Sequence, residues 1–151
     1  MSATDTPSTA QSTTAPSPAP HTCAPVGSGV ASLRAGEAQL LAYFAATQRR
    51  GPLRAARVSV SEGSTVLVAG VDAQRSLFVE PHLLAGPIAA DQAWSVLQDL
   101  FKLALVARTH PGSRAVLLLA GEPAAVAARR FLTRAPGLAV VEVAVVDTPT
   151  A

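Results

Sequence analysis

The six-residue run Ala115-Val-Leu-Leu-Leu-Ala120 constrains this chain more than any other feature. It has no polar alternation, so a strand built from it must be covered on both faces. The run is followed by a helix signal from Glu122 to Arg134, entered through Pro123, and by a second strand signal from Leu138 to Val146. Strand, helix and strand over so short a stretch form a βαβ unit, which predicts two parallel strands joined by a right-handed crossover. A parallel pair buried on both faces requires helices above and below the sheet, which sets the class as α/β.

The preceding residues supply the rest of the sheet. Leu33 to Arg50 carries Leu33, Glu37, Leu40, Leu41, Phe44 and Ala45 at helical spacing, and Gly51-Pro52 stops it. Ala56 to Ser61 alternates, Glu62-Gly63 turns, Thr65 to Val71 is β-branched, and Ser76 to Glu80 resumes after Asp72, which predicts a meander of three strands. Pro87 and Asp91 introduce a helix to about Thr109. Trp94, Val96, Leu97, Leu100, Phe101 and Leu103 to Val106 lie on nearly every side of it, which predicts a central, largely buried helix. The expected order is α-β-β-β-α-β-α-β around one small mixed sheet.

The first 33 residues differ in composition. Ser2 to Pro25 is built of Ser, Thr, Ala and Pro, too poor in large apolar side chains to offset the entropy of ordering a backbone. The reading is a disordered tail over 1–33, one α/β domain over 34–148 and a short end at 149–151. Gly27-Ser-Gly29 and Gly63-Ser64 read as turns, since neither has the Lys-Ser/Thr partner of a phosphate loop.

Charge and cysteine usage exclude several classes of function. The only cysteine is Cys23, in the tail, so no internal disulfide and no multi-cysteine metal site can form, and a reducing, cytoplasmic compartment is expected. No apolar run approaches the length of a bilayer span, which argues against a membrane protein. Net charge is +2, and Lys102 is the sole lysine beside eleven arginines. Asp5 is the only charged side chain of the tail, so the domain carries +3, a weak field for a dedicated nucleic-acid binder. Two arginine groups, Arg49, Arg50, Arg54 and Arg57, and Arg129, Arg130 and Arg134, are candidates for contact with an anion or nucleic acid. Against that, arginine near a helix C-terminus is favourable in itself.

No catalytic constellation emerges from the residues. The histidines His21, His82 and His110 lack the close spacing of metal ligands, and no nucleophile-elbow serine occurs. Trp94 reads first as a core residue of the long helix and second as an interface anchor, because a small domain with a helix apolar all round needs a second subunit to cover it.

The element order resembles the PD-(D/E)XK nuclease-like fold, the restriction-endonuclease topology. Gly36-Glu37 on the opening helix and Phe78-Val79-Glu80-Pro81-His82 on the third strand are similar to two of its motif elements. The resemblance implies a divalent metal held by Glu37 and Glu80, with His82 where a lysine is expected and Thr65-Val66 near the place of the second-strand acid. Asp72 lies at the wrong end of the third strand to join Glu80, and Glu62 reads as an exposed turn. The opening helix and the hairpin Ala56 to Val71 are also similar to a roadblock-like scaffold, which works by dimerisation, although this chain ends on a strand.

Two functional expectations follow. The first is a non-catalytic binding or scaffold domain that acts through a protein partner or self-association and needs no cofactor. The second is a divergent nuclease-like protein that processes or binds DNA through Glu37, Glu80, His82 and the arginine groups.

Overall fold

A computed structural model describes residues 27–147, with side chains from residue 32 onward. Most of the expected tail, including His21 and Cys23, and the end at 149–151 lie outside the described residues. The elements are α1 (Gly27–Thr47), β1 (Arg54–Ser61), β2 (Ser64–Val71), β3 (Leu77–His82), α2 (Ala90–Thr109), β4 (Arg114–Leu119), α3 (Glu122–Arg134) and β5 (Val141–Val145), with a 3₁₀ turn at Pro136–Leu138 before β5. The order is the one expected, in a single five-stranded mixed sheet.

The strands lie side by side in chain order. β1, β2 and β3 are antiparallel, whereas β3, β4 and β5 are parallel, with Val79 opposite Val116 and Leu117 opposite Val143. The apolar run of β4 therefore occupies a nearly central position and feeds two cores. Val116 and Leu118 face α1, packing with Leu40, Leu41, Phe44, Leu77 and Val79. Leu117 and Leu119 face the other way, toward Val96, Leu100 and Leu103 of α2 and Ala124, Ala125 and Ala128 of α3. Each of these fully buried leucines and valines contributes about 1.5–3 kcal/mol, and the absence of polar alternation in the run is explained by burial on both sides.

Two boundaries differ from expectation. α1 begins at Gly27 rather than near Leu33, so the glycines at 27 and 29 lie in its first turn instead of a separate turn. First-turn amides have no intrahelical acceptor in any case, so little is lost by placing glycine there. β5 starts at Val141 because Pro136-Gly137-Leu138 closes a 3₁₀ turn, burying Leu138 while Ala139 and Val140 stay exposed.

The larger correction concerns α2. It packs one face on the sheet, through Val96, Leu100, Leu103, Ala104 and Val106, and is not buried all round. Trp94 is 67% exposed, Phe101 61% and Leu105 43%, so Trp94 is not a core residue. Among the described residues no helix is long and apolar enough to cross a membrane.

At the β2–β3 turn, Asp72 holds the backbone with its side chain. Its Oδ1 accepts from the Ser76 and Leu77 amides at 2.7 and 2.9 Å, and its Oδ2 accepts from the Ser76 hydroxyl and Arg50 Nη1 at 2.7 and 3.2 Å. Burial opposes ionisation of this carboxyl, but the Ser76 hydroxyl, the two amides and the Arg50 guanidinium outweigh it and hold it below its usual range. Asp72 is thus a structural brace at the end of β3 remote from Glu80.

Candidate functional site

Alternation along β3 sends Phe78, Glu80 and His82 toward α2, where Asp99 and Lys102 sit one turn apart on a flank of the helix. The four polar side chains form a chain of charge-assisted contacts. Lys102 Nζ lies 2.7 Å from both Glu80 Oε1 and Asp99 Oδ1, and His82 Nε2 donates to Asp99 Oδ2 at 2.8 Å. Glu37, half-buried on α1, is close enough to feel the charges of His82 and Asp99. The fold therefore joins Glu80 and His82 through Asp99 and Lys102, while Glu37, on the helix that packs against the other face of the sheet, makes no hydrogen bond or ion pair with them.

Glu80 has a second task. A register irregularity displaces β1 against β2 between Arg54 and Ala56, and the β2–β3 pairing extends only over Gly70–Val79 and Val71–Phe78. Beyond that point Glu80 Oε1 accepts the Ala69 amide at 3.1 Å. The side chain takes over where the β2–β3 ladder stops, and the next residue, Pro81, has no amide to donate.

The electrostatics follow from burial and partners. Burial pushes the Glu80 carboxyl above its ordinary value, with Asp99 adding to the rise, and the Lys102 ammonium and Ala69 amide only partly reverse it. Burial also pushes Glu37 up, against the opposing pull of His82. Asp99 ends below its ordinary value because His82 and Lys102 together overcome its desolvation, and Lys102 ends above its own because Asp99 and Glu80 do the same for the ammonium.

The divalent metal that the nuclease-like resemblance implies does not fit these residues. Glu80 Oε1 already accepts from the Lys102 ammonium and the Ala69 amide, and Ala69 itself, at the β2 position beside Glu80, offers no side-chain oxygen. Among the described residues no three His, Cys, Asp or Glu side chains group as metal ligands. Glu62 is exposed at the β1–β2 hairpin, where Gly63 takes a φ of 73°, and Asp72 is committed to its turn.

The arginine groups separate. α1 packs on one face of the sheet and α3 on the other, so the Arg49 and Arg50 end of α1 and the arginines of α3 do not form one surface. Arg50 is bound to Asp72 and Arg129 to Glu122, while Arg57 lies exposed on the edge strand β1 and Arg130 and Arg134 on α3. Arg49 follows α1 in the left-handed region, with a φ of 51°. Arg54 shares one groove with Arg75, lined also by Pro52, Val71 and Gln74. His110 is apart from His82, tilted over Phe78 at 5.3 Å and bonded to the Ser59 carbonyl at 3.0 Å.

The second feature of α2 is its outward face. Asp91, Trp94, Gln98, Phe101, Leu105 and Arg108 are all exposed and recur at spacings of three and four, so they form one stripe opposite the buried face. Beside it lies a groove lined by Phe101, Ala104, Leu105, Arg108, Pro136 and Leu138. Asp99 and Lys102 had a faint signal in the sequence, as charges in the middle of the most apolar helix, one of them the sole lysine. No protein-family model, curated protein or solved structure matches the chain, so its functional reading rests on this geometry alone.

Proposed function

We propose that this protein is a non-catalytic binding or scaffold domain that acts through protein–protein contacts, by self-association, and that the outward face of α2 is its contact surface. The observation that carries the reading is the exposure of Trp94, Phe101 and Leu105 on one stripe of one helix. Aromatic side chains bury 150–250 Å² each, so leaving two of them in water is costly unless a partner covers them. The closed ion-pair chain behind the stripe supports the same reading, because its carboxylates are already occupied. Light scattering over a concentration series tests it: the mass should rise above the 15.4 kDa of one chain, and Phe101→Glu should hold the monomer. A strict monomer at the highest concentration overturns it.

A second reading, a divergent nuclease-like protein that binds or processes DNA, is favoured by the groove that Arg54 shares with Arg75. Fluorescence anisotropy with labelled single- and double-stranded DNA tests the contact. Cleavage assays with magnesium or manganese, on wild type and Glu80→Ala, test the chemistry. Absence of both binding and cleavage overturns this reading.

A further inference from the structure

The outward stripe of α2 is symmetric in its spacing and opposite in charge at its two ends. Counted from the midpoint between Asp99 and Leu100, Asp91 and Arg108 are equidistant, as are Trp94 and Leu105, and Gln98 and Phe101. The spacing of three, four, three, four, three is that of a helix-pairing seam. An acid stands at one end and a base at the other.

We infer that a second copy of this chain docks on the stripe with its α2 antiparallel, about a two-fold axis through that midpoint; the inference rests on the protein-contact reading above. In this arrangement Asp91 meets the partner's Arg108 at both ends of the seam, Trp94 lies against the partner's Leu105, and Gln98 lies beside the partner's Phe101. A parallel pairing would instead set Asp91 against Asp91 and Arg108 against Arg108. The surface is self-complementary in a further respect. Trp94 is a protruding ring, and the groove between α2 and Pro136–Leu138 begins at Phe101 and Leu105, opposite the place the partner's Trp94 reaches. One patch thus carries both knob and hole, as an interface with two-fold symmetry requires.

The register is read by cross-linking the full chain in a Cys23→Ser background, which removes the sole native cysteine. Positions 91 and 108 are seventeen residues apart on α2, or about 25 Å, so D91C and R108C in one chain cannot bridge each other. The doubly substituted D91C/R108C chain should form disulfide-linked dimers on mild oxidation, reversed by reductant, while chains carrying D91C alone or R108C alone should not. Linked dimers from either single variant point to a parallel pairing and overturn the inference. A dimer by light scattering that Phe101→Glu dissolves, with no linkage in the double variant, also overturns this register but leaves the protein-contact reading standing. A chain that is monomeric at every concentration overturns both.

Discussion

Lys102 on α2 and Glu80 on β3 meet at 2.7 Å where the ladder between β2 and β3 ends, and the same Glu80 oxygen accepts the Ala69 amide. One carboxylate therefore joins helix to sheet and strand to strand. Glu80 is almost fully buried and depends on this lysine for compensation, so Lys102→Met should lower stability by about 2–4 kcal/mol. Glu80→Gln combined with Lys102→Met should cost less than Lys102→Met alone, because it removes the stranded charge. Urea unfolding of the two variants checks this, and a larger loss in the double variant would count against it.

Asp72 braces the opposite end of β3, and its depressed titration makes the brace dependent on pH. A carboxyl lowered on folding gives stability that is complete above its ordinary value of 3.8 and is lost as the pH falls through the folded value. Asp99 adds to the same acid limb. Asp72→Asn should be about 1–3 kcal/mol less stable than wild type at neutral pH, and the gap should narrow below pH 3.8. Urea midpoints at pH 7 and at pH 3 measure it, and an unchanged gap would contradict the assignment.

Gly121, just before α3, packs directly under the loop that leaves β3. A Cβ there would stand 2.2 Å from the Ala85 carbonyl oxygen and 2.7 Å from its Cα, and both are backbone atoms that cannot rotate away. Gly121→Ala should therefore destabilise the fold by about 1–3 kcal/mol, more than its single added methyl suggests. Thermal unfolding by circular dichroism checks it.

Trp94 is the only tryptophan, so its fluorescence reports on the α2 stripe alone. In dilute wild type the emission should be that of a solvated indole and readily quenched by iodide. With rising concentration it should shift to shorter wavelength and become protected, whereas Phe101→Glu should stay solvated throughout. Because Phe101 is exposed in the single chain, that substitution should change the unfolding free energy by no more than about 0.5 kcal/mol at concentrations where wild type is monomeric. Emission that does not change with concentration while light scattering reports a dimer would place the contact elsewhere.

The amino-acid sequence alone determined whatever depends on neighbours in the chain. Hydrophobic period and turn residues are local, so the order of eight elements, the parallel βαβ half and the double-sided burial of residues 115–120 all follow from sequence. Glu37, Glu80 and His82 stood out only through the resemblance to the nuclease-like fold, which places such residues on the opening helix and the third strand. Tertiary structure decided the rest. Which sides of α2 meet the sheet depends on how many elements pack against it, and a domain with one sheet covers only one side. Trp94, Phe101 and Leu105, apolar as any core residue, were left in water for that reason. Asp99 and Lys102 became partners of Glu80 and His82 only because packing laid α2 across β3, a contact between positions about twenty residues apart that no local pattern encodes.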